Sequence, residues 1–503
     1  MRLNWFAPLP PAKSGIADYT RQLLPTLTAA AEVVLWTDQE HWDPTLEAFA
    51  EVHPYRLQEM PWAEVNRATM SIFHIGNNHR FHGPIWQVSQ RHAGLMVLHD
   101  VALQQFFAGL FREHWHDRMG YLDLMERSYG TTGRQDAEDF WAGRLTIEYM
   151  AEQYRLTRYA MEHALGALVH SQRSFDELRP ESPCPLGYAP LPYPIVPSGS
   201  RRGGGRGTPH ASGPPYRLIV FGHIGENRRL TSILRALAAF PERQCFHLDV
   251  YGELWDHARL RREFENLGLQ GVVTLHGFVG NDDLEAALAS AHLAINLRFP
   301  TMGEASVSQL QIWDHALPSL VTKVGWYASL PPEIVAFVRP EHEIMDLQAH
   351  FRGFLSEPGH YAHMGEEGRR YAQTHHTPGA YVQAMLEAVR DAEAFRPSRR
   401  SMTWPEKLAR RRGAGQTSRP QTSPRTWEHR RWVPATITPR SGQCLMASTI
   451  GIWRRSNTCG RSCQSRSRRC NGSSPQGCRR YDVQHQRNAT CQYALRRSVG
   501  TPN

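Results

Sequence analysis

Cysteine is scarce: Cys184 and Cys245 are the only two in the first 395 of 503 residues, the other six lying further on. A disulfide scaffold is therefore excluded for that body, and a reducing compartment suits it. Long apolar runs are missing as well. No stretch reaches eighteen apolar residues and no basic-then-apolar leader follows Met1, so neither a membrane span nor a secretion signal is expected. A cytoplasmic location follows as the expectation, with peripheral attachment at the inner face of a membrane left open. Acidic side chains are rare in one place only, residues 396–503, which hold 3 Asp and Glu against 23 Lys and Arg. The formal charge of +9 thus belongs to the tail, while the first 395 residues carry 45 acidic and 34 basic side chains. No specific nucleic-acid binding is expected of such a body.

What is present is a twice-repeated alternation of short apolar strands and helical stretches. In the first half the strand candidates are Met1 to Ala7, Glu32 to Thr37, Met70 to Gly76, Leu95 to Asp100 and Ala167 to His170, with a helical, aromatic-rich region from Val101 to Tyr159. Segment 198–215 carries almost nothing apolar and reads as a Gly/Pro/Arg-rich linker. Beyond it the alternation restarts with strands at Tyr216 to Phe221, Cys245 to Tyr251, Val272 to His276 and Leu293 to Leu297. Helices are expected between them; Leu230, Ile233, Leu234 and Leu237 form the single apolar stripe of a helix lying on a sheet. The fold class predicted is α/β: two Rossmann-like, doubly wound parallel-sheet domains facing a cleft, with ligands at the carboxyl ends of the strands.

The most informative stretch is Asn296 to Ser306. It leaves an apolar strand, crosses a Pro-Gly turn and sets one carboxylate, Glu304, among small residues where a helix should begin. Small side chains admit an anion to backbone N–H groups, and a helix N-terminus adds partial positive charge. Phosphate-bearing sugar is the ligand class this pattern suits; an ordinary strand-to-helix loop is the plainer alternative.

Four segments in register carry a family resemblance: Pro11 to Tyr19 (PAKSGIADY), Val97 to Asp100 (VLHD), Phe221 to Ile224 (FGHI) through Arg228-Arg229, and Phe299 to Ser306 followed by Val324-Gly325-Trp326. The body, roughly Met1 to Phe395, resembles a GT-B-fold glycosyltransferase of family 4, the retaining enzymes that use nucleotide sugars. The resemblance implies an acceptor-side domain over 1–197, a nucleotide-sugar donor domain over 216–378 and a final helix, 379–395, returning to the first domain. It also implies three catalytic residues. Glu304 would hydrogen-bond the donor sugar, His99 would contact that sugar, and Arg228 would clamp the leaving diphosphate through its planar fork. Donor-binding roles fall to Gly15, Gly222, His223, Arg229, Gly303, Ala305 and Ser306.

Two positions depart from the family: His223 stands where an arginine is frequent, and Ile312 where a second glutamate commonly grips the ribose. Neither a cofactor nor a metal is expected, the nucleotide sugar being a substrate. No Asp-x-Asp pair ends a strand in the relevant place, and His114-Trp115-His116-Asp117 reads as a helical surface cluster. The implied partners are a nucleotide-sugar donor and a saccharide or lipid-linked saccharide acceptor, in bacterial envelope or exopolysaccharide assembly. A catalytically weakened binding module and an anion-binding protein working through its tail are the competing readings.

For 396–503, the scattered Trp residues and lost periodicity predict disorder, because burial would not offset chain entropy. Its cysteines fit no zinc spacing, and the abrupt change in composition suggests translation in another frame.

Overall fold

The computed structural model describes residues 1–196, 213–254 and 256–413, with side chains described as far as Arg396 except that of His257. Most of the expected linker, 198–212, and the tail beyond Gly413 lie outside the described residues.

The first lobe is built on β1 (Arg2–Phe6), α1 (Gly15–Thr28), β2 (Glu32–Thr37), β3 (Glu51–Pro54), α2 (Trp62–Val65), β4 (Met70–Ile75), α3 (His79–Ser89) and β5 (Leu95–Leu98). A helical insertion follows, α4 (Gln104–Gly109), α5 (Arg118–Trp141, broken at Gly130), α6 (Ile147–Gln153) and α7 (Thr157–Ala160), before β6 (Gly166–Val169), α8 (Gln172–Leu178) and β7 (Leu186–Tyr188). All seven strands are parallel, in the order β3-β2-β1-β4-β5-β6-β7. Strands β4, β5 and β6 are buried along their whole length, as strands covered by helices on both faces must be. The edge strands β3 and β7 escaped sequence reading because, half-exposed, they have no need of an apolar run.

The second lobe repeats the plan with β8 (Tyr216–Phe221), α9 (Leu230–Ala238), β9 (Phe246–Tyr251), α10 (His257–Asn266), β10 (Val273–Gly277), α11 (Asn281–Ser290), β11 (Leu293–Asn296), α12 (Val307–Asp314), β12 (Ser319–Thr322) and β13 (Ala336–Val338). Its six parallel strands run β10-β9-β8-β11-β12-β13. The predicted stripe on α9 is buried at all four positions. In both sheets the chain reverses its direction of travel beside the first strand, between β1 and β4 and between β8 and β11, and crevices open there at the strand ends.

Helices α13 (Glu343–Ser356) and α14 (Pro358–His375) close the second lobe, and α15 (Pro378–Gly413) crosses back to α1, β5, β6 and β7. The closing helix expected over 379–395 is thus longer than anticipated and takes in 396–413, the start of the segment read as tail. Its approach depends on small residues. A Cβ added to Gly166 would lie 3.0 Å from Ala392, and one added to Gly187 would lie 3.3 Å from Ala388. The Tyr19 hydroxyl donates to the Tyr381 hydroxyl at 2.6 Å and ties α15 to α1. Among the described residues no helix is long and apolar enough to cross a membrane.

Candidate active site

The loops after β1, β8, β9 and β10 enclose a cavity of about 770 Å³ between the lobes. Pro10 to Gly15 and Trp42 form one wall; Phe221 to His223, Tyr251 to Glu253 and Phe278 form the other. Three of the expected donor-binding residues, Gly15, Gly222 and His223, line it. Ser14 caps α1 by accepting from the Ile16 N–H, which turns Gly15 onto the cavity wall, and a Cβ on Gly15 would meet nothing within 4 Å. Gly222 is different. Its φ of +107° lies in the region that favours glycine, and a Cβ there would sit 2.8 Å from the Arg228 guanidinium.

Arg228 is buried beneath that glycine. Its Nη1 donates to Asn296 Oδ1 at 2.6 Å and its Nη2 to Ser308 Oγ at 3.3 Å, so the fork spans from the end of β11 to the first turn of α12. It has no ion pair among the described residues. Burial, with the neighbouring Arg298 charge, pulls its pKa down to about 9, against the opposing pull of Tyr327 and Glu304; it remains a cation at neutral pH.

Glu304 is 8 % exposed and faces the junction of the lobes. Its Oε2 accepts from Thr301 Oγ1 at 3.0 Å and from the Met302 N–H at 2.7 Å, while Oε1 lies 2.8 Å from Nη1 of Arg298. Arg298 was not singled out from sequence. Burial works against its charge, but Glu304, Tyr327 and Asp100 outweigh burial and its pKa is raised. Across the junction Asp100 accepts from the Asn77 N–H at 2.8 Å. Burial first, and then the Glu304 charge, push the Asp100 carboxyl up to about 7.

The lobes meet at this loop. Met302 O accepts from the N–H groups of Val101 and Ala102, both at 2.9 Å, and Gly303 O accepts from Ser174 Oγ at 2.9 Å.

The remaining expected residues have identifiable partners within the protein. Arg229 is turned away from the cleft: its guanidinium holds both Glu343 oxygens at 2.7 to 3.0 Å, and the same carboxylate takes the Ser232 hydroxyl. Gly303 spends its missing Cβ on the lobe contact, since an added one would lie 2.1 Å from a Val101 methyl. The Ser306 hydroxyl caps α12, accepting from the Gln309 N–H at 3.2 Å, and Ala305 packs against the core at the lobe junction. His99 is half-buried just beyond the end of β5. Its Nε2 is hydrogen-bonded to His74 Nδ1 at 3.0 Å, and its ring packs on Tyr19 and His170. Burial and the adjacent imidazoles hold the pKa values of both His74 and His99 well below the ordinary range, so the pair is neutral. Asp100 bonds Asn77 rather than orienting His99. In the cluster 114–117, Asp117 caps α5 through the Gly120 N–H.

Asn296, Gln309 and Tyr327 were also missed. Asn296 Nδ2 donates to Gln309 Oε1 at 3.0 Å and to Tyr327 Oη at 3.1 Å while its Oδ1 receives Arg228. An asparagine ending an apolar strand was the available signal, because a buried amide there must find partners.

The two facing parallel sheets and their inter-lobe cleft define the GT-B glycosyltransferase fold. Sucrose-phosphate synthase from Thermosynechococcus elongatus is similar in structure at 15% identity, with 78% of this chain and 99% of that one covered and a TM-score of 0.53. HepE from Anabaena in complex with UDP-glucose is similar at 12% identity over 77% of this chain and 98% of that one, TM-score 0.52, and its complex with UDP at 13% identity over the same shares, TM-score 0.51. No protein-family model and no curated protein sequence matches this chain.

Proposed function

We propose that this protein is a retaining glycosyltransferase moving a sugar from a nucleotide-sugar donor to a saccharide or lipid-linked saccharide acceptor. The observation that carries the reading is Arg228: a buried guanidinium without an ion pair among the described residues, set between Gly222 on the cavity wall and the first turn of α12. A diphosphate is the ligand that would complete it. Arg228 and the start of α12 supply the positive charge that a departing diphosphate gathers as its bond to the sugar breaks, and no metal ion is called on in this reading. Glu304 holds the donor sugar by a hydroxyl. With no carboxylate assigned as base, the departing phosphate takes the acceptor proton on the same face, and the anomeric configuration is kept.

A binding module is the second reading, favoured by Ile312. That side chain is fully buried against Ile219 and Phe221, so the position supplies no carboxylate for a ribose.

The full chain should gain thermal stability with one of a panel of nucleoside diphosphates, UDP first, by RT ln(1 + [L]/Kd). It should then turn over the matching nucleotide sugar, with Glu304→Ala reducing turnover at least a hundredfold, on the order of what loss of a preorganised charged contact costs. Protection without turnover by any donor would leave the binding module; no protection by any nucleotide would end both readings.

A further inference from the structure

Arg298 and Glu304 leave complementary hydrogen-bonding capacity unfilled. Among the described residues the buried Nε–H of Arg298 has no acceptor, and the buried Oε1 of Glu304 meets only the Arg298 guanidinium, in an ion pair at 2.8 Å, leaving room for one more donor. Both belong to a loop held by further hydrogen bonds. The Arg298 N–H donates to Thr322 Oγ1 at 2.9 Å, and Glu304 Oε2 takes two bonds. Buried donors and acceptors are almost always paired, so the remaining two call for a ligand atom.

A group that accepts from one partner and donates to its neighbour is a hydroxyl. Phosphate, which only accepts when fully ionised, would satisfy Arg298 but oppose Glu304. We infer that Arg298 is a specificity-determining residue: together with Glu304 it binds one hydroxyl of the transferred sugar, which accepts from Arg298 Nε and donates to Glu304 Oε1. The inference rests on the glycosyltransferase reading and adds a second protein partner for the sugar, one that Glu304 alone would not provide. A donor lacking that hydroxyl leaves the Arg298 Nε–H and Glu304 Oε1 without that hydrogen bond, which is why discrimination should be large.

The experiment compares, for the full chain, kcat/KM for a nucleotide sugar with that for its deoxy analogues, position by position, in wild type, Arg298→Lys and Arg298→Gln. UDP affinity and thermal stability are measured alongside. Wild type should prefer the hydroxylated donor at one position by tenfold to about a hundredfold, the span of a charge-assisted hydrogen bond. Both variants should lose most of that preference while UDP affinity changes less than about threefold, and Arg298→Lys, which keeps the charge beside Glu304, should separate lost geometry from lost folding. A variant that retains the full deoxy discrimination, or one that loses UDP affinity in step with turnover, overturns the inference while leaving the transferase reading intact. Absence of turnover and of UDP binding in wild type would instead sink that reading itself.

Discussion

At the scale of the residue, the site is a balance of buried charge. Arg228 and Arg298 bring two guanidiniums, and Glu304 and Asp100 answer them from opposite lobes. Substituting Arg228→Met keeps volume and removes the fork. UDP affinity, measured by titration calorimetry, should fall about tenfold to a hundredfold, the worth of a charge-assisted hydrogen bond, and unchanged affinity would remove Arg228 from the diphosphate site. Asp100 yields a pH prediction. Its folded pKa of about 7 lies above the ordinary 3.8, so the folded state keeps a proton that the unfolded chain gives up between those values. That contribution to stability is full below about pH 4 and is lost as pH rises through about 7, on the order of a few kcal/mol. Urea unfolding of wild type and Asp100→Asn from pH 5 to 8 should show the variant gaining on wild type as pH rises; parallel curves would contradict this origin of the shift.

At the scale of the element, the segment between β11 and α12 does several jobs at once. It ends a buried strand with Asn296, carries Arg298 and Glu304, caps α12 with Ser306 and docks the other lobe through Met302 and Gly303. The conformation at Gly303, φ +79°, and its contact with Val101 both exclude a side chain. Gly303→Ala should therefore cost about 1 to 3 kcal/mol in denaturant unfolding and reduce turnover by separating Glu304 from Asp100. Full activity and stability together would mean that the lobe contact opens without consequence. Strand and helix positions were legible in this region because Leu293 to Leu297 is apolar and small residues precede a helical pattern. The lobe contact was not, since it pairs residues 129 or more positions apart.

At the scale of the molecule, α15 returns from the second lobe to lie on the first, and its only side-chain hydrogen bond to α1 among the described residues runs from Tyr19 to Tyr381. Both tyrosines are buried, and burial raises both pKa values, so the pair stays neutral and hydrogen-bonded across the physiological range. Tyr381→Phe leaves the Tyr19 hydroxyl buried without that partner. A loss of about 1 to 3 kcal/mol in urea unfolding is expected, while UDP affinity stays within about twofold, because the change lies away from the cavity. An equal loss of nucleotide affinity would show that packing of the returning helix governs the cleft.

By itself the sequence determined the alternation of elements and hence the two parallel sheets, because fully covered strands must be apolar and amphipathic helices must carry a stripe, as Leu230 to Leu237 do. Through the family resemblance it also pointed to Gly15, Gly222, Arg228 and Glu304 as expected site residues. Only the tertiary structure decided what each charge faces. Arg228 and Arg229 are adjacent in the chain, yet one turns to Asn296 and Ser308 beneath Gly222 and the other closes on Glu343, since successive side chains leave a tight turn in different directions. Likewise Arg298 meets Glu304 only when the loop folds back, and His99 meets His74 only when their neighbouring strands pair. Such partners are fixed by packing over long sequence separations, which no local pattern of residue types encodes.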